Sequence, residues 1–150
     1  MEIQDKMIES TKEIFSSMVM MEINVKEIMD VHGPLHDTIT GMIGLAGTHK
    51  GVLAVHIPYS VAMAITSSFL MMDVTEINED VHDAVGEIAN MLGGNIKTIL
   101  SENGRDIDLS LPTTIAGSEY SFSSDKEVEK VIVEFDTGKG CFMVEMDLEN

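Results

Sequence analysis

Three side chains in the run DAVGEIANMLGGNIK, residues 83–97, are of types that can do chemistry together: Asp83, Glu87 and Asn90. A carboxylate can hold a cation. A carboxamide three residues further on can hydrogen-bond a water molecule through both its oxygen and its NH₂. Spacings of three and four bring such groups side by side on one face of a helix. Gly86, Gly93 and Gly94 stand beside them, and each glycine costs about 1 kcal/mol against alanine in a helix interior. Glycines at 86, 93 and 94 remove side chains that would keep another protein surface from approaching, so a close docking partner is expected on this helix, with Gly94 on the same side as the three polar groups. A second reading stays open on these residues alone: Asp83 and Glu87 are solvated charges near a helix N-terminus, where acids are favoured, and the glycines serve helix-to-sheet packing. With fifteen Glu and six Asn in the chain, an isolated E-x-x-N is expected on the order of once by chance.

What positions these groups is legible in the apolar spacing. Val81, Val85, Ile88, Leu92, Ile96 and Ile99 recur at three and four, which predicts a long amphipathic helix with one buried stripe. It opens at Asn78 or Glu79 and runs to about Ser101, with Asn103-Gly104 to stop it. At about 100° per residue, Asp83, Glu87, Asn90 and Gly94 line the side pointing away from that stripe. An earlier helix is predicted from Gln4 to Met21 by Met7, Ile8, Thr11, Ile14, Phe15 and Met18, and another over 59–73 after Pro58. Strand-like runs occupy 23–29, 38–47 and 51–57, and then 106–117, 130–135 and 140–148. The chain therefore reads as a single α+β domain over 1–150, with helix-plus-three-strand halves at about 1–57 and 78–148. The expected sheet is mostly antiparallel, with two long helices packed on one face. The segments THKGVLAV (48–55) and TGKGCFMV (137–144) share Thr-x-Lys-Gly and a terminal Val at a constant offset of 89, which points to internal duplication.

Composition excludes several function classes. The net charge of −17, from 26 acidic and 9 basic residues, opposes nucleic-acid binding, which rests on basic residues neutralising phosphates. No window holds 18 consecutive apolar residues and the start MEIQDKMIES is neither basic nor apolar. A membrane span and a signal peptide are thus not expected, and the expected location is cytoplasmic. Cys141, in GCFMVEMDL, reads as a small buried residue, and the thirteen methionines as core packing. His32 and His36 are four apart, but Gly33-Pro34 between them denies the helical geometry of a metal pair. No metal, phosphate-loop or nucleophile-elbow pattern is present in the sequence.

The combination of DAVGEIANMLGGNIK with Pro112, 22 positions after Asn90 in LSLPTTIAG, resembles the CheC/CheX/FliY group of response-regulator phosphatases, most of all its CheX-type members. The signature of that group is Asp or Ser, then E-x-x-N, then a proline about this far downstream. The likeness spans nearly the whole chain, including TGMIGLAGTHKGVLAVHIP and DIDLSLPTTIAG. It implies duplicated α/β halves and a hydrolase acting on the aspartyl-phosphate of a CheY-like receiver domain, with Mg²⁺ supplied by that receiver and no cofactor of the chain's own. Asn90 would orient the attacking water, Glu87 would pair with the receiver's lysine, and Asp83 would assist at the rim. Glu9, Glu13 and Glu22 of the first helix lack an Asn three residues on, so one site per chain is implied, as is a homodimer joined through strand edges. The alternatives are a non-catalytic receiver-binding module in a chemotaxis or two-component assembly, and a purely structural domain. The Glu87/Asn90 pair favours the enzyme, because binding alone gives the carboxamide no particular task.

Overall fold

Alternating apolar residues in the second half of each predicted repeat build the sheet. The computed structural model describes residues 2–101, 103, 105–123 and 127–149. In chain order the elements are α1 (Glu2–Ile14) running into a π-helical turn (Phe15–Val19), β1 (Asn24–Met29), β2 (Leu35–Gly47), β3 (Gly51–Pro58) and α2 (Tyr59–Leu70). They continue with α3 (Glu79–Leu100), β4 (Ile107–Leu109), β5 (Thr113–Tyr120), β6 (Val128–Asp136) and β7 (Cys141–Glu149). Every strand pairing among the described residues is antiparallel, in the order β1-β6-β7-β3-β2, with β4 and β5 both on the outer side of β2.

This order reads the same from either end once the halves are exchanged. The first strand of each half pairs with the second strand of the other, β1 with β6 and β5 with β2. At the centre Val55 pairs with Val144, two residues separated by the same 89 positions that relate the two Thr-x-Lys-Gly segments. The sheet thus has two-fold symmetric connectivity about that pair.

Side chains alternate across the sheet. One face carries Ile39, Ile43, Leu53, Val55, Val133, Phe135, Phe142 and Val144, all buried against the helices. Phe15 at the end of α1 stacks on Phe142 at 4.8 Å between ring centroids, and Phe142 stacks on Phe135 at 5.4 Å. The opposite face buries polar groups: Thr40, His56, Glu145 and Asp147. Lys130 Nζ reaches Glu145 Oε2 at 2.6 Å and Asp147 Oδ2 at 3.2 Å. Burial alone would push Glu145 up, but hydrogen bonds from His56 and Lys130 outweigh it and hold its carboxyl down at about 2. Burial and then the neighbouring Glu145 push Asp147 up to about 6.

Three expectations change. The run 106–117 is not one strand: Pro112 has no N–H for the ladder, so β4 ends at Leu109 and β5 begins at Thr113. Ser110 closes the gap, donating its N–H to the Gly44 carbonyl at 3.0 Å while its Oγ accepts the Gly44 N–H at 2.8 Å. The first helix leaves α geometry at Phe15 and stops at Met20, whose φ of 60° is left-handed. Cys141 is half-buried, not buried, because it opens β7 on the polar face of the sheet. The long helix ends at Leu100 with Ser101 as its cap; of the expected stop signal, Gly104 lies outside the described residues. No helix among the described residues is long and apolar enough to cross a membrane.

Candidate active site

Helix α3 is 22 residues long and capped by Asn78, whose side chain accepts the Val81 N–H at 3.2 Å. Glu79 and Asp80 in its first turn and Lys97 in its last complement the helix dipole. Its apolar stripe is buried throughout Val81, Val85, Ile88, Leu92 and Ile96. Gly41 of β2 sets the helix close to the sheet: a Cβ there would stand 2.8 Å from Val85 Cγ1 and 3.0 Å from the Val85 carbonyl. A helix held this way along one face has a fixed rotation, and that rotation decides what its far face presents.

Asp83, Glu87 and Asn90 are all exposed on the far face. None of the three makes a side-chain hydrogen bond or ion pair with another described residue. Their acceptors and the Asn90 NH₂ are therefore available to a partner. Gly94, one turn beyond Asn90, has nothing within 4 Å of where its Cβ would be. The four residues expected to share a face do so.

The expectation that Gly86 and Gly93 also clear the way for a partner is not met, because both positions face other parts of the chain. A Cβ on Gly93 would meet Ile43 Cγ2 at 3.0 Å, and one on Gly86 would meet Thr114 Cγ2 at 3.7 Å and Pro112 Cβ at 3.9 Å. Gly93 serves packing on β2, and Gly86 lies against the β4–β5 break. That break brings Pro112 beside the acidic face. His82, Asp83, Gly86, Glu87, Pro112 and Thr114 line a shallow depression of ≈ 350 Å³. His82 Nδ1 lies 2.7 Å from Thr114 Oγ1 and ties α3 to β5.

Two lining residues, His82 and Thr114, were not anticipated from sequence, and neither was Leu111. Leu111 is 86% exposed and adjoins Pro112, which lines the depression. The sequence signal for all three was weak, since their proximity to Glu87 depends on the register of β5 on β2.

A family model for the chemotaxis phosphatase CheX matches residues 39–136, which take in the whole of α3, the β4–β5 break and the central hairpin. The chain belongs to the CheX family. It is 27% identical over 90 residues to the CheY-P phosphatase CheX of Thermotoga maritima, a match covering 59% of this chain and 57% of that protein. The chain thus spans a little over half the length of that curated relative. The crystal structure of a chemotaxis protein CheX from Desulfovibrio desulfuricans superposes with a TM-score of 0.87 at 26% identity, covering 99% of this chain and 100% of that one. A CheX–CheY–BeF₃–Mg²⁺ complex from Borrelia burgdorferi has the same fold, with a TM-score of 0.82 at 20% identity over 97% of each chain.

Proposed function

We propose that this chain hydrolyses the phosphoaspartate of a CheY-like receiver domain. The observation that carries the reading is the pair Glu87 and Asn90, one turn apart on the exposed face of α3 and without a side-chain partner among the described residues. Family membership supports it, as do the relative described as a CheY-P phosphatase and the neighbour solved with CheY.

Hydrolysis of an acyl phosphate needs a water in line with the phosphorus and neutralisation of the phosphoryl oxygens. Mg²⁺ held by the receiver supplies the second. Asn90 supplies the first: its oxygen accepts from the water and its NH₂ donates, so the water lone pair is aimed at phosphorus. The new P–O bond forms from water and the bond to the aspartyl oxygen breaks. Inorganic phosphate and the free receiver carboxylate result, and the water's proton leaves with phosphate or solvent. Glu87 pairs with the receiver's lysine and fixes the docking register. Asp83 and Gly94 border the docked partner.

The test is decay of phosphorylated receiver with each variant, alongside binding to a receiver carrying a stable phosphoryl mimic. Asn90→Ala should lower catalysed dephosphorylation by at least ~10²-fold, about 2.7 kcal/mol of transition-state stabilisation, and leave binding little changed. Glu87→Ala should weaken both. Because both side chains are exposed, thermal stability should stay within about 0.5 kcal/mol of the parent. Undiminished hydrolysis by Asn90→Ala would remove its catalytic role and leave a receiver-binding module.

A further inference from the structure

On the sheet face away from α3, His32, His56 and Glu145 converge from three places far apart in the chain. His32 lies in the connection between β1 and β2, His56 on β3 and Glu145 on β7. His32 Nε2 is 2.6 Å and His56 Nε2 is 3.0 Å from the same carboxylate oxygen, Glu145 Oε1. The three atoms lie within 4.8 Å of one another. Side-chain exposures are 7% for His32 and 0% for the other two.

The outer hydrogen bonds of both rings leave Nε2 as the inward atom. His32 Nδ1 is 2.9 Å from the Gly33 carbonyl, which only accepts, so Nδ1 carries the proton. At 2.6 Å and 3.0 Å a proton can link each Nε2 to the carboxylate oxygen, and a metal ion ligated by the same atoms takes the place of those protons. His56 Nδ1 is held at 2.8 Å by Thr40 Oγ1, itself 2.6 Å from the Tyr120 hydroxyl. An outer partner on the second ring nitrogen is the usual setting of a histidine that ligates metal.

We propose that His32 Nε2, His56 Nε2 and Glu145 Oε1 bind a divalent first-row transition metal ion of the zinc class. Two imidazoles and one carboxylate suit such an ion, and three protein ligands leave the fourth tetrahedral position for water or a further oxygen. Ligand bonds of about 2.0–2.2 Å place tetrahedral ligand atoms about 3.3 Å apart. The present spacings reach that value with shifts of under ~1 Å per atom. Lys130 does not compete, because it occupies Oε2 of Glu145 and leaves Oε1 to the ion. The ion would fasten the β1–β2 connection to the two central strands. His36, whose pairing with His32 is already opposed by Gly33-Pro34, is exposed and belongs to no such group among the described residues.

The full chain, stripped with a chelator, should be titrated with Zn²⁺ by calorimetry and with Co²⁺ by visible absorption. The expected result is one ion per chain, tetrahedral Co²⁺ bands and a raised melting temperature. His32→Ala should weaken affinity at least ~100-fold, since even loss of an outer partner costs 10–100-fold. His36→Ala and His49→Ala should bind as the parent does. The parent protein also gives a reading that no variant's folding can obscure: in ¹⁵N spectra, Zn²⁺ should shift Nε2 of two histidine rings and no others. The proposal is overturned if no ion binds up to millimolar Zn²⁺. It is equally overturned if His32→Ala binds as tightly as the parent, or if the responding rings belong to His36, His49 or His82.

Discussion

Gly93 and Gly94 are neighbours in sequence and opposites in surroundings. One step of about 100° separates a Cβ position pressed on Ile43 from one in open space. Gly94→Leu should stabilise the helix by several tenths of a kcal/mol through propensity alone and yet obstruct the receiver. Gly93→Leu should cost about 1–3 kcal/mol by overpacking against Ile43. Thermal melts with parallel phosphatase assays check both; a Gly94→Leu protein that is stabilised and fully active would separate Gly94 from docking. The contrast also marks what sequence can tell. Helical periodicity is local, so the shared face of Asp83, Glu87, Asn90 and Gly94 was legible. What stands opposite each glycine was not, because Ile43 and Pro112 come from other strands. His32, His56 and Glu145 were hidden for the same reason: they meet only after β3 pairs with β7 and the β1–β2 connection lies beside them.

Among the elements, the β4–β5 break gives the site its second wall. A proline inside a strand-like run argues against a continuous ladder, a signal at Pro112 that reading 106–117 as one strand passed over; the closure by Ser110 on Gly44 had no signal in the sequence. The break thrusts Leu111 outward beside the acidic face of α3. Leu111→Asp should leave the fold within about 0.5 kcal/mol of the parent, since the side chain buries almost nothing in the isolated chain. It should weaken receiver binding roughly 10-fold, about 1.4 kcal/mol, if that leucine is covered in the complex. Calorimetric titration with the receiver measures this, and unchanged affinity would put Leu111 outside the interface. The π-helical turn at Phe15–Val19 had no signal in the apolar spacing, which runs through it without interruption; it delivers Phe15 onto Phe142.

For the whole molecule, the sheet is open. β1 pairs only with β6 and β5 only with β2 among the described residues, and β1 is exposed along nearly its full length. An unpaired edge is a template for another strand, and a symmetric dimer is the commonest way to use it. A dimer at micromolar concentration is the expected outcome, and light scattering that returns the monomer mass of 16.4 kDa throughout that range would reject it. Since each chain carries −17, association should tighten as salt screens the repulsion. The exchange of first strands between the halves has a further consequence during synthesis. Among the described residues β1 finds its partner only in β6, where Met29 faces Ile132 and Asn24 faces Asp136. The ribosome must therefore add roughly a hundred more residues, about 5–20 s of translation, before β1 has anything to pair with. For that interval the amino-terminal half is a nascent chain with its first strand waiting, and neither half can complete its share of the sheet before the other has emerged.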